Sequence, residues 1–173
     1  MWRALTPLLM LAAVASCGTA ADKPLSRIDL TSSGFGEGGP IPAQFTCDGA
    51  NRPPPLTWSE PPPGTRSFAL ILDDPDAPGG TFHHWAAYDI PAAARSLDGG
   101  GSIVAQAVND FGKSGYDGPC PPKGNAAHHY RFTVYALGVG RLRFPAAAKA
   151  TDVESAARGH ALAEGTLTGT YAH

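Results

Sequence analysis

Cysteine, methionine and charge are all scarce in this 173-residue chain: three cysteines, two methionines and 16% charged residues. No C-x-x-C pair occurs, so the usual spacing of a thiolate metal site is missing. There is no basic stripe and no block of like charge, and the formal net charge is -2, which argues against nucleic acid as a partner. The longest apolar run falls short of a bilayer of ~30 Å. Neither G-x-S-x-G, H-E-x-x-H nor a phosphate-cradling P-loop is present, so no familiar catalytic signature exists. Internal repeats, heptads and low-complexity tracts are absent too. Glycine and proline are abundant, at 21 and 17, which suits short strands joined by ordered turns rather than a helical bundle.

Met1-Trp2-Arg3 and the apolar stretch Leu5 to Val14 have the make-up of a signal peptide. The stretch ends V-A-S-C at Cys17, which resembles the lipobox of bacterial lipoproteins. That resemblance implies a signal at residues 1–16, acylation of Cys17, and a tether over 17–25. The exported protein would then be held on the bacterial envelope, facing the periplasm or cell surface. Ordinary secretory cleavage near Ala15 or Ala20 is the alternative and leaves a soluble periplasmic protein. Removing residues 1–16 takes away only Arg3 among the charges, shifting the net charge from -2 to -3. Residues 26–173 are enough for one domain with a sizeable core. With Cys17 committed to lipid, Cys47 and Cys120 remain as a pair in an oxidising compartment, so a disulfide is expected. It would close a loop of ~70 residues, worth roughly 4 kcal/mol in the chain-entropy description.

Alternation of apolar and polar residues predicts a first strand at Arg27 to Ser32. Ser67 to Asp73 is almost continuously apolar and reads as a central strand buried on both faces. Further strands are expected at Phe82 to Ile90, Ile103 to Val108, His129 to Leu137 and Gly165 to Tyr171. Thr151 and Glu154 have capping-box spacing and Gly165 suits a C-cap, which predicts one C-terminal helix over about 152–164. Short strands and one late helix make the fold class mainly β, a sandwich of two mostly antiparallel sheets. Asn109 to Gly124 has no periodicity. A long irregular loop inside a compact domain is more often functional than accidental.

Four of the six histidines fall in two doublets, His83-His84 and His128-His129. Neighbours on a strand point to opposite faces, so one member of each doublet can enter a given pocket. His128 shares a face with Tyr130, Phe132 and Val134, and His129 with Arg131, Thr133 and Tyr135. His84 falls with Ala86 and Tyr88, His83 with Trp85 and Asp89. Three aspartates, Asp73, Asp74 and Asp76, stand between the first histidine doublet and the apolar strand. Turn formation alone accounts for one such carboxylate, less readily for three. A carboxylate bonded to an imidazole fixes its tautomer and raises its pKa, so the ring can offer N–H to an anion.

The run D-P-D-A-P at Asp74, followed by H-H-W and later by P-P-K-G and H-H-Y, resembles the phosphatidylethanolamine-binding protein family, also called Raf kinase inhibitor-like proteins. T-C-D-G-A-N-R-P-P-P-L-T-W and N-D-F-G-K-S-G-Y-D-G-P-C-P-P-K-G resemble its bacterial branch. The similarity extends over about Ile28 to Tyr171. It implies a two-sheet sandwich with a small anion pocket at one end. Its pocket residues carry over onto Asp74, His84, Pro122, His128 and Tyr130, leaving Asp76, His83 and His129 to support them. Two departures stand out. The segment from Pro78 to His83 is shorter than in eukaryotic members, and His129 replaces the arginine common between pocket histidine and tyrosine.

The sequence therefore leads to a non-catalytic binding protein that takes a phosphate-like anion, a phospholipid headgroup or a phosphorylated partner, without cofactor or metal. A metal-dependent hydrolase using His84, His128 and Asp74 is the alternative of a different class. A protein inhibitor displayed on the envelope is a third.

Overall fold

The computed structural model describes residues 25–98 and 105–173. The signal peptide expected at 1–16, Cys17 and the tether up to residue 24 lie outside the described residues, as does the start of the strand expected at Ile103. The two shortest early strands are β1 (Ser26–Arg27) and β2 (Leu30–Ser32). The single strand expected over Arg27 to Ser32 is thus split, because its two halves serve different sheets. A 3-10 turn at Ala43–Phe45 precedes β3 (Leu56–Trp58). Then come β4 (Ser67–Asp74), β5 (Phe82–Pro91), β6 (Ser96–Leu97), β7 (Ala105–Gln106) and β8 (His128–Leu137). The helix α1 (Ala150–His160) runs directly into β9 (Ala161–Tyr171).

One sheet has the order β1-β9-β8-β4-β5-β7 and the other β2-β3-β6. All pairings are antiparallel except β1 with β9. Strand β4 lies in the middle of the larger sheet and is buried at every position. Its alternate residues feed two cores. Phe68, Leu70 and Leu72 join the layer between the sheets with Trp58, Phe132 and Val134. Ala69 and Ile71 face the opposite way, where Val153 and Ala157 of α1 cover the large sheet. A continuous apolar run is what a strand covered on both faces needs.

The helix differs from the expected 152–164. It begins two residues earlier, where the Lys149 N–H donates to the Asp152 carboxylate at 3.0 Å, so Thr151 is not its cap. It stops at His160 because Ala161 is already extended, at φ -67° and ψ 133°. Gly165 is no C-cap but a mid-strand residue of β9. A Cβ there would sit 2.1 Å from the Ile28 carbonyl oxygen, so glycine is required for close backbone approach rather than for a turn.

Candidate functional site

Strand β5 carries an irregularity at its first doublet that decides which histidine goes where. Leu72 pairs with Trp85, yet Asp73 pairs with His83, so His84 is the extra residue of a β-bulge. A bulge re-aims side chains by breaking the two-residue alternation. His83 consequently shares the helix-side face with Asp73. His84 is thrown to the side of Asp74, toward the end of the sandwich. The companions expected from simple parity, Ala86 and Tyr88 for His84, are therefore wrong. The bulge reverses the count at this position.

Around His84 lies a cavity of about 170 Å³. Asp74, His84, His128 and Pro122 all line it, together with the apolar side chains of Ala77, Pro78, Phe82 and Phe111. Cys120 and Pro121 complete the far wall. Tyr130, the fifth residue expected here, does not line the cavity. It is fully buried beneath it, its ring 5.4 Å from that of His84 and 6.4 Å from that of His128. Burial, and then Asp74 nearby, push its phenol well above the usual range, so it stays protonated; its hydroxyl is buried without a hydrogen bond.

Each pocket histidine has one nitrogen committed. Nδ1 of His128 lies 2.7 Å from Oδ2 of Asp74, with both residues almost fully buried. The other oxygen of Asp74 accepts the Asp76 N–H at 2.9 Å, an Asx-type turn that fixes the carboxylate plane. Nδ1 of His84 lies 3.0 Å from the carbonyl oxygens of both Asp117 and Gly118. Two carbonyls can only accept, so that nitrogen carries the proton. Burial lowers the pKa of His84, so the ring is held neutral with a lone pair on Nε2. The irregular loop of Asn109 to Gly124 thus supplies the carbonyls, Phe111 and the proline wall.

The remaining predicted residues are placed elsewhere. The Asp76 carboxylate accepts both the backbone N–H and Nδ1–H of His129, at 2.8 and 2.7 Å. That holds the turn after β4 against the start of β8. His83 does not hold that turn. Its Nε2 lies 2.7 Å from Glu154 on α1, and its Nδ1 is 3.4 Å from the Asp110 carboxylate without a hydrogen bond. Arg131 grips Asp73 with two bonds of 3.0 and 2.6 Å, and Arg158 grips Glu154. The bond from Glu154 raises the pKa of His83, and in return His83 and Arg158 hold Glu154 down at about 2 against the effect of burial. Three carboxylates and three cations balance there, tying α1 to β4, β5 and β8. Sequence reasoning named Asp73 only as one of three aspartates and Glu154 only as a cap, and missed their pairing with Arg131 and His83 because these partners are distant in the chain.

The ligand set of the hydrolase alternative does not converge. Among the described residues, metal-ligating atoms come together only at Asp73, His83 and Glu154 and at Cys47, Cys120 and His173. The former's carboxylates are already taken by arginines. His84, His128 and Asp74 are not among these groups. Cys47 and Cys120 are joined as a disulfide, with Cα atoms 5.4 Å apart.

Comparison with known proteins matches residues 31–172 to the model of the phosphatidylethanolamine-binding protein family. A UPF0098 protein of Aquifex aeolicus is 45% identical over 150 residues, covering 83% of this chain and 88% of the relative. A Mycobacterium tuberculosis protein named as a lipoprotein, LppC, is 43% identical over 153 residues, covering 87% and 74%. Among solved structures, Escherichia coli YbcL superposes with a TM-score of 0.78 at 32% identity, covering 86% of this chain and 99% of that one. A Chlamydia trachomatis homologue, CT736, gives 0.77 at 36% with the same coverage.

Proposed function

The chain belongs to the phosphatidylethanolamine-binding protein family, and from that premise we propose that it is a non-catalytic binding protein whose cavity takes a phosphoryl group. The observation that carries this reading is the buried His128–Asp74 pair beside the neutral His84, in a space of about 170 Å³. Drug-sized ligands occupy roughly 300–1,000 Å³, so this cavity admits one tetrahedral oxyanion and little of whatever carries it. His128 can present an N–H at Nε2 when protonated, with Asp74 compensating its charge. His84 presents an acceptor. A phosphoryl group bearing one proton satisfies both, and a phospholipid headgroup or a phosphorylated protein remain the two sources of such a group. The apolar side chains of Pro78, Phe82 and Phe111 line the space around it. Asp74, His84 and His128 are each fixed by another protein group, which leaves Nε2 of the two rings to meet the bound group.

We place the protein on the bacterial envelope, held through an acylated Cys17. The lipobox-like V-A-S-C supports this, and a relative named as a lipoprotein is consistent with it. The test of the site is titration with inorganic phosphate and with phosphoethanolamine, followed through the histidine ring resonances. His84 and His128 should move together and His128→Ala should abolish saturable binding. Movement confined to His129, His160 or His173 would refute the assignment.

A further inference from the structure

The disulfide on the far wall of the cavity has an acid–base group set against it. Nε2 of His173 lies 3.6 Å from the Cys47 sulfur and 3.7 Å from the Cys120 sulfur, so one imidazole nitrogen addresses both. Its other nitrogen, Nδ1, is 2.9 Å from the carboxylate of Asp48, which also accepts the Tyr171 hydroxyl. The groups that meet the ring are thus Asp48, the two sulfurs and the Tyr171 ring, at 6.2 Å. The His173 side chain is 12% exposed, and Cys47 is open to solvent, as is His173 taken as a whole residue. Carboxylate, imidazole and sulfur in sequence is the arrangement that stabilises a thiolate and shuttles its proton.

The wall does not depend on the bridge for its shape. The Cys47 N–H donates to the Pro119 carbonyl at 3.1 Å, and the Tyr116 hydroxyl to the Phe45 carbonyl at 2.6 Å. Asn51 adds two more bonds, to Asp117 and Gly118, both at 2.8 Å. These span the same two segments that the sulfurs join, so the S–S bond can open while the segments stay together. A disulfide that only stapled the loop would need neither the imidazole nor this redundancy.

We propose that Cys47–Cys120 is a reversible thiol–disulfide exchange centre, with His173 as its acid–base group and Asp48 as the residue that positions it. A thiolate of an incoming dithiol attacks the exposed Cys47 sulfur, the S–S bond breaks, and Cys120 leaves as a thiolate that takes its proton from His173. The second thiol of the reductant then attacks the mixed disulfide and releases Cys47. The protein gains two electrons and two protons, and the dithiol is oxidised to its own disulfide. The proposal does not depend on what the cavity binds.

The test uses the folded mature chain and dithiothreitol as the dithiol. Two thiols should appear at pH 7 without denaturant, with the circular dichroism unchanged, and oxidised glutathione should restore the bridge. Iodoacetamide labelling of the reduced protein against pH should show one cysteine titrating at least one unit below the ~8.5 of an ordinary thiol. In His173→Gln that midpoint should rise by a unit or more, slowing labelling at pH 6 about tenfold. Asp48→Asn should move it the same way by less, and serves alone if the first variant folds poorly. A bridge that opens only on unfolding would overturn the proposal, as would labelling profiles that superimpose for wild type and variants.

Discussion

Replacing Asp74 by alanine removes two buried acceptors at once. Oδ2 holds the His128 ring and Oδ1 holds the Asp76 N–H, in a residue 3% exposed beside a histidine 6% exposed. Each donor orphaned in a buried site costs about 1–3 kcal/mol. Water entering the cavity can reach the His128 ring, so the combined loss should be about 2–4 kcal/mol, nearer the sum of two small penalties than two large ones. For a chain of this size each kcal/mol moves the midpoint of melting by about 2–4 °C, so Asp74→Ala should melt roughly 5–15 °C lower. Asparagine behaves differently. It offers one acceptor and one donor where the carboxylate offered two acceptors. With its oxygen on the Asp76 N–H, its amide must face Nδ1 of His128, which then has to be the lone-pair nitrogen. The variant should lose only ~1 kcal/mol, and the His128 proton should move to Nε2. Calorimetric melts and the nitrogen chemical shifts of the ring measure the two effects separately. Melting of the alanine variant within 2 °C of wild type would show that Asp74 does not hold His128. An unshifted tautomer in the asparagine variant would refute the acceptor assignment.

The joint between α1 and the large sheet should be pH-dependent. His83 has a raised pKa, so its contribution is complete below about 6.5 and is lost as pH rises through the higher folded value. Glu154 is held at about 2 from an ordinary 4.5, so its contribution is complete above about 4.5 and is lost as pH falls toward 2. Melting temperature should therefore plateau between about pH 4.5 and 6.5 on account of this group. Glu154→Gln should lower the stability there by on the order of 2 kcal/mol, allowing for partial solvent screening, and should flatten both limbs of the melting curve against pH; parallel curves would count against the pairing. Gly165→Ala should cost about 1–3 kcal/mol through its 2.1 Å approach to the Ile28 carbonyl and speed amide exchange at Ile28, whose N–H bonds the Glu164 carbonyl. Gly159→Ala, with nothing within 4 Å, should instead stabilise α1 by up to ~1 kcal/mol, and equal effects at both sites would dismiss the steric account. Phe111→Ala, at a side chain 43% exposed whose ring lies 4.7 Å from Phe82, should leave melting nearly unchanged and weaken phosphate binding in the titration; a purely structural role predicts the reverse.

Periodicity located β4, β5 and β8 because each buries a face that must repeat every two residues. It also paired His128 with Tyr130 on one face, since β8 runs through that segment without a bulge. The first doublet was not legible in the same way. A bulge adds one residue without any compositional mark, so parity counted from Ala86 carried His84 to the wrong face. The weak preference for His84 rested on that count, and the family pattern is what made the choice firm. The helix start was misread because Thr151 and Glu154 have the right spacing, while the working cap is the less conspicuous Lys149–Asp152 pair. Glu154 was spent on a cap in the sequence reading. In the fold it is the partner of His83, a contact across 71 residues that no local rule can anticipate. Tyr130 was placed beside the ligand by its strand face and by the family pattern, but burial depth along a strand is a tertiary property, and it came to rest under the cavity.

With a lipid on Cys17, the parallel pairing of β1 with β9 would separate a mooring end of the molecule from a working end. Ser26 and Arg27 meet Ala163 and Glu164, whereas His128 meets Tyr171 at the other end of the same strand pair. From Glu164 to Tyr171 is roughly 23 Å of strand, at ~3.3 Å per residue. A chain fixed by an acyl group at Cys17 would ride above its membrane with the cavity pointing outward. Residues 17–25 reach at most about 30 Å when fully drawn out, so bringing the mouth down to the anchoring bilayer would use nearly all of that slack. Such a geometry favours cargo that arrives from the aqueous side, or from a facing membrane, over lipid drawn from the leaflet beneath.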